Sequence, residues 1–450
     1  MRSQRVVVIG GGIAGLSAAY FLRRAGLEVV VLEAGVLGSG ASSGNAGWIS
    51  PAQAGPLPEP GLARYGLKSL FRRESALYIA PSYLPRMLPW LIGFARRCNQ
   101  EDHRRGVIAL AELGRRSFDL VETLKADGVE FESYRQGMLV VSERRASAEA
   151  FLSGLAPLRD FGFAIPRGVI DGAELREREP ILSGAVNAGV VIEEHVHVRP
   201  MTLVDGLAAR LKEMGVTIEL ETPVTEVISS SSGVLVRTRS GHGHPADAAV
   251  VAAGAWSPGL VKPLGCRLPI AAGKGYSFEV PLPRSAAPRS AMLLLDPHVG
   301  FSPFGDCLRL AGTMEFSGIN TRIDERRVEA ISRGAARLFG DIDFDVRENV
   351  WTGMRPVAPD GLPVIDVVPG TGNVYIAGGY SMLGMTLAAP AGELLAHMVS
   401  TGRRPAELVP FRIGRFRTAR WRVRAAVPPG ALTPALPARG ARARRWRTRL

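Results

Sequence analysis

The stretch Val6–Gly35, VVVIGGGIAGLSAAYFLRRAGLEVVVLEAG, decides the fold. The run Arg5–Ile9 is β-branched and continuous, the pattern of a parallel strand buried on both faces. From Ile13 the apolar residues Leu16, Ala19, Tyr20, Leu22 and Ala25 recur at helical spacing, and Gly26 closes the helix. LEVVVLEAG then reads as a second strand ending at Glu33. Between the first strand and the helix stand Gly10-x-Gly12-x-x-Gly15. Gly10 permits a tight turn, Gly12 lets the backbone approach a pyrophosphate, and Gly15 lets the helix lie close to the strand. The helix N-terminus favours the anion. Glu33 suits ribose hydroxyls and disfavours a 2′-phosphate. A glycine-rich turn that binds nothing is the competing reading, and the strand, helix and terminal acid around the motif weigh against it. Three consecutive glycines and no small-residue cleavage site also weigh against a secretory leader.

Four hundred and fifty residues are too many for one ordinary core, so two domains are the default. With 46% hydrophobic and 22% charged residues, the chain has the composition of a soluble globular protein. Its net charge of +13 suggests nucleic acid, but the charge is local. Arg415–Leu450 carries eleven arginines and no Lys, Asp or Glu, which leaves about +2 for residues 1–414. The basicity belongs to an Arg/Pro/Ala-rich tail that reads as disordered, and no nucleic-acid role is expected of the body. Cys98, Cys266 and Cys307 are far apart and form no CxxC, so neither a disulfide framework nor a metal site is expected. The apolar stretch Leu77–Cys98 is broken by Pro81, Pro85, Arg86 and Pro89 and is no transmembrane helix. It reads as a helix capping the second domain, with a membrane-surface helix as the other reading.

Farther along, His103–Val129 has one long helical pattern, and EFESYRQGMLVVSE reads as strands. The α/β pattern returns at His197–Val227, with an amphipathic helix over Thr202–Met214, and again at Asn373–Val399 as strand, glycine turn and helix. The fold class is therefore α/β with an α+β second domain. A Rossmann-type dinucleotide domain is assembled from residues 1–75, 195–268 and 345–414. A mixed-sheet substrate domain comes from 76–194 and 269–344, and 415–450 is the tail.

Four blocks carry a more specific likeness: VVVIGGGIAGLSAAYFL, VVVAAGAWS, GMRPVAPDGLPVID and AGGYSMLGMTLAAPAGELLA. On them the chain resembles the D-amino-acid oxidase superfamily of flavoenzymes, which includes glycine and sarcosine oxidases, from the N-terminus to about Phe416. SGNAGWISP, KGYS at Lys274–Ser277 and LGMTLA are similar to the bacterial D-amino-acid dehydrogenase small-subunit branch. That resemblance implies FAD, a peripheral position on the inner membrane, and electrons passed to a respiratory acceptor. It also implies roles for particular positions. Gly10, Gly12, Ile13, Ala14 and Gly15 would hold the pyrophosphate, and Glu33 and Ala34 the adenosine ribose. Ser42, Ser43, Asn45 and Ala46 would lie beside the pyrophosphate and flavin, and Val224 would meet the adenine. Ala253 and Gly254 would line the cofactor channel. Gly379, Met382, Leu383, Gly384, Met385 and Thr386 would sit at the pyrimidine end of the flavin, at a helix N-terminus.

An α-amino acid needs its carboxylate fixed and its Cα hydrogen aimed at flavin N5. The arginine fork suits the first task, and Arg355 stands where related enzymes place that arginine. A structural ion pair with Asp360 is its competing reading. Tyr276 is a second candidate contact, with a core aromatic as the alternative. Tyr380 stands where that branch commonly has histidine, either near the site or simply packed. No strong base is needed, so neither His195 nor His197 is assigned a catalytic role. Trp351, Thr352 and Gly353 fill the region where sarcosine oxidases carry their flavin-linking cysteine, so noncovalent FAD is expected. Arg309 stands where those oxidases carry an oxygen-activating lysine, which leans toward a dehydrogenase.

The expected activity is oxidative deamination of D-amino acids, or of cyclic D-imino acids, by a cytoplasmic or peripherally inner-membrane enzyme. Three alternatives stay open. One is a glycine, sarcosine or D-amino-acid oxidase releasing hydrogen peroxide. Another is a 2-hydroxy-acid dehydrogenase. The third is a noncatalytic flavin-binding subunit of a larger complex. Fifty arginines against five lysines fit a GC-rich bacterial source.

Overall fold

The computed structural model describes residues 4–62, 73–281, 288–305, 307–340 and 342–416. Its first layer is a six-stranded sheet in the order Thr217–Glu219, Glu28–Leu32, Arg5–Ile9, Ala248–Val251, Val374–Gly378, Val364–Val367. The first five strands are parallel and the last is antiparallel. Alternation along Arg5–Ile9 explains why both faces are apolar. Val6 and Val8 pack against the helices Ile13–Arg24, Pro200–Glu213 and Gly384–Thr401. Val7 and Ile9 pack against a three-stranded antiparallel sheet, Val224–Ser230, Gly233–Thr238 and Gly243–Ala246. The sheet thus draws on three separated stretches of chain.

A second, mixed sheet runs Glu348–Val357, Ala271–Pro281, Cys307–Phe316, Val299–Phe304, Ala291–Leu294, Met138–Ser142, Ala188–Ile192, Ile170–Asp171, with Leu77–Ile79 beside Cys307–Phe316. On one face the helix Glu325–Ala336 buries Val328 and Ile331 against Tyr276, Phe278, Phe301 and Leu310. On the other, the helix Leu84–Arg97 buries Met87, Trp90 and Phe94 against Ala271, Met314 and Val357. Each of those three side chains contributes roughly 1.5–3 kcal/mol of burial.

Three expectations change in detail. The pattern over His103–Val129 is two helices, Gln100–Gly114 and Ser117–Ala126. A Cβ on Gly114 would lie 3.1 Å from Pro51 and 3.3 Å from Leu387, so neighbouring elements crowd the chain just where the helix ends. Leu77–Cys98 begins as a strand before its helix. Arg415 and Phe416, the start of the expected tail, belong to the fold: Arg415 pairs with Asp360, and Phe416 packs on the core. The rest of that tail, 417–450, lies outside the described residues.

Candidate functional site

The glycines of the first turn behave as their spacing predicts. Gly10 has φ +113°, and a Cβ there would sit 2.6 Å from the carbonyl oxygen of Ala252. A Cβ on Gly15 would sit 1.9 Å from the carbonyl oxygen of Gly10, so only glycine lets this helix lie on this strand. Gly12 has only Ser42 Oγ near its open side, at 3.4 Å. That hydroxyl accepts the N–H of Ile13 at 3.1 Å and caps the helix. Ala14 follows in the first turn, which contains no acid. The helix Gly384–Thr401 likewise has no acid in its first turn. A Cβ on Gly384 would stand 3.7 Å from Ile13, so the two N-termini are neighbours. Two positive helix ends with no acid in their own first turns favour an anion between them.

Glu33 is oriented by two backbone donors, Gly11 N–H at 2.6 Å and Gly35 N–H at 2.9 Å, with exposed Ala34 between. Its carboxylate retains lone pairs for further donors. Thr222 N–H donates to the Glu33 carbonyl, which brings Val224 beside it. Ala253 abuts Gly10, and Gly254 begins a turn with φ +52°. Thr386 Oγ1 donates to the Trp48 carbonyl and accepts from Ser50 N–H, fixing the chain just after Ser43, Asn45 and Ala46. Gly379 takes φ +74° before Tyr380, Leu383 caps the last helix, and Met385 is buried in its first turn. Met382 is 48% exposed. The glycine turn, the two adjacent helix N-termini and the pre-oriented Glu33 fit a dinucleotide such as FAD.

Arg355 lies on the neighbouring mixed sheet. Gly273 is its register partner, and Gly275 pairs with Gly353. Paired residues share a face, so Gly273, Gly275, Gly353 and Trp351 lie on the Arg355 face. A Cβ on Gly275 would lie 2.4 Å from Arg355 Cζ, so the guanidinium rests directly on this glycine floor. Arg355 Nη1 donates to the Thr313 carbonyl at 2.5 Å. Among the described residues no carboxylate pairs with Arg355; Asp360, its expected structural partner, is taken by Arg415 at 2.6 Å. Burial, and then nearby Arg327, lower the guanidinium's pKa to about 10, which keeps it charged at neutral pH. A largely buried cation without a counter-ion is a site for an external anion. Trp351 packs against Gly44 and Gly353, joining this face to the Ser42–Ala46 loop.

Tyr380 joins this region: it bridges Val357, two residues from Arg355, and burial pushes its phenol pKa up. Tyr276 does not. It pairs with Thr352 and so falls on the opposite face, where its hydroxyl donates to Glu315 at 2.6 Å. Lys274 Nζ meets the same Glu315 at 2.9 Å. Burial, then the Glu315 bond, push the Tyr276 pKa up.

Two further features escaped sequence reasoning. Arg309 Nη1 donates to the carbonyls of Ser43 at 2.7 Å and Asn45 at 3.1 Å, and Nη2 to Glu279 at 2.6 Å. Burial raises the Glu279 pKa, but bonds from Asn349 and Arg309 outweigh it and hold the carboxyl below its usual range. The second is how the helix Leu84–Arg97, expected as a cap, is attached: its Trp90 Nε1 donates to the Val357 carbonyl at 3.1 Å and closes the Arg355 face. Its only sequence signal was an apolar stretch with prolines. His195 and His197 are buried with rings 5.9 Å apart, and no metal-holding group occurs among the described residues.

The comparisons agree with this geometry. Residues 5–398 match the DAO model of FAD-dependent oxidoreductases. The chain is 32% identical to a D-amino acid dehydrogenase of Methylobacterium radiotolerans over 89% of its length and 96% of that protein. It is equally identical to one of Rhizorhabdus wittichii, over 89% and 97%. The fold is similar to that of glycine oxidase from Geobacillus kaustophilus, with a TM-score of 0.73 and 22% identity, over 92% of this chain and 100% of that one. The chain belongs to the DAO family of FAD-dependent oxidoreductases.

Proposed function

We propose that the chain is a D-amino-acid dehydrogenase that binds FAD noncovalently, deaminates D-amino acids or cyclic D-imino acids, and passes electrons to a respiratory acceptor. The observation that carries this reading is Arg355: a largely buried guanidinium on a glycine floor, beside the residues fitted to FAD, with no carboxylate paired to it among the described residues. The relatives' activity supplies the substrate class.

Arg355 would hold the substrate carboxylate in bidentate fashion, and its bond to the Thr313 carbonyl keeps the fork oriented. Gly275 and Gly353 let the Arg355 guanidinium and the Trp351 ring lie directly on the sheet, which sets the height at which the fork would meet substrate. The helix Leu84–Arg97 would exclude water, and Tyr380 would shape the same space. FAD, when bound, supplies the acceptor for the Cα hydride, so no protein base is required. Tyr276, on the opposite face and bonded to Glu315, has no part in this substrate site. Glu33 would take the ribose, Val224 the adenine, and the two helix N-termini the pyrophosphate and flavin. Arg309 spends its donors on Ser43, Asn45 and Glu279, which supports an acceptor other than oxygen. Trp351 occupies the region of a covalent link, which supports noncovalent FAD.

The domain division is proposed at 1–75, 195–268 and 345–414 for FAD and 76–194 and 269–344 for substrate. The location is proposed as cytoplasmic, peripheral to the inner membrane; among the described residues no helix is long and apolar enough to cross one. The test is anaerobic flavin bleaching by a panel of D- and L-amino acids, glycine, sarcosine and 2-hydroxy acids. Bleaching by D-amino acids, slow recovery in air and fast recovery with a quinone are expected. Rapid recovery with peroxide would make it an oxidase, and bleaching only by hydroxy acids would overturn the substrate class.

A further inference from the structure

The helix Leu84–Arg97 has a second face. Opposite buried Met87, Trp90 and Phe94, it turns Leu88 and Ile92 outward, 50% and 52% exposed and one helical turn apart. Exposed Pro85, Pro89 and Ala95 extend the stripe. Arg86 and Arg96 flank it, and the helix contains no acid. A second exposed pair, Ile319 and Ile323, lies on the adjoining loop, whose Gly318 rests against Tyr83 at the helix start. Arg322 and Arg326 are exposed on and beside that loop. Among the described residues no carboxylate pairs with Arg86, Arg96, Arg322 or Arg326; Arg97 alone of the helix's arginines has one, Asp102.

We propose that this outer face is the chain's membrane-contacting surface, lying in the headgroup plane of an anionic bilayer. It deepens the peripheral association proposed above. Aliphatic side chains flanked by unpaired arginines are complementary to acyl chains beneath anionic headgroups. The consequence is functional. The residue that anchors the helix inward, Trp90, bonds beside the Arg355 face, so lipid contact and substrate access share one element.

The test is co-sedimentation of the full-length holoenzyme with vesicles of phosphatidylglycerol and phosphatidylcholine, or phosphatidylcholine alone. Wild type should bind the anionic vesicles. Leu88→Ser/Ile92→Ser should lose about tenfold in affinity or more, with flavin content and circular dichroism unchanged. Ile92→Trp should bind at least as well as wild type, and Arg86→Gln/Arg96→Gln should lose the preference for anionic lipid. Wild type failing to bind either vesicle would overturn the peripheral association itself. Undiminished binding by the serine variant would overturn only this surface, leaving the contact elsewhere, for instance on the basic tail. A wild-type dimer that the serine variant dissociates, with vesicle binding intact, would make the face an interface between copies and also overturn the proposal.

Discussion

Gly275→Ala isolates the glycine floor beneath Arg355. The added Cβ would stand 2.4 Å from Cζ and 2.5 Å from Nη2 of Arg355. Ordinary contact begins near 3.4 Å, so the guanidinium must rise by about 1 Å. Gly275 has no positive φ, so alanine suits its backbone, and the atoms that must move end a flexible side chain. Stability should therefore fall by about 1 kcal/mol or less. Catalysis should respond far more, because a displacement of about 1 Å at a positioning group costs roughly 100-fold, or about 2.7 kcal/mol. Steady-state kcat/KM with a D-amino acid and an artificial quinone reports the first quantity, and thermal unfolding of the holoenzyme the second. A variant with unchanged kcat/KM would refute contact between Arg355 and substrate. A variant that unfolds many degrees lower would refute the claim that only the guanidinium moves.

Arg355→Met should lose two charge-assisted bonds, about 3–6 kcal/mol or roughly 10²–10⁴-fold in kcat/KM, while retaining flavin. Arg309→Met should leave Glu279 buried without its cation and free the Ser43–Asn45 loop, so both melting temperature and flavin retention should fall; adding Glu279→Gln should restore part of the stability. Gly15→Ala forces a Cβ to 1.9 Å from a backbone oxygen, and the purified protein should be depleted of flavin and about 1–3 kcal/mol less stable. Burial, then His197, lower the His195 pKa to about 3, so the folded state resists a proton that the unfolded chain accepts below about 6.5. Stability should fall as pH drops through that window, by about 2 kcal/mol at pH 5 from His195 alone, and His195→Phe should flatten the slope in calorimetry.

The first βαβ unit was legible because each glycine answers a local demand, and the alternation of Val6–Ile9 is local too. Arg355 was legible through its block. The glycine floor was not, because it exists only once Ala271–Pro281 pairs in register with Glu348–Val357, some 80 residues away. Tyr276 shows the same limit. Its residue type suits substrate contact, but one position of parity puts it on the helix-covered face. The break between Gln100–Gly114 and Ser117–Ala126 lies against Pro51 and Leu387, partners distant in sequence, so periodicity alone ran through it. Arg309 could not be read as a clamp because the carbonyls it holds lie some 265 residues away.

Anaerobic reduction by a D-amino acid and by its carboxamide, which lacks the carboxylate, tests most directly whether Arg355 anchors the substrate. Anchoring by Arg355 predicts rapid bleaching by the acid, little by the amide at the same concentration, and no preference in Arg355→Met. Equal bleaching of the wild type by acid and amide would contradict it.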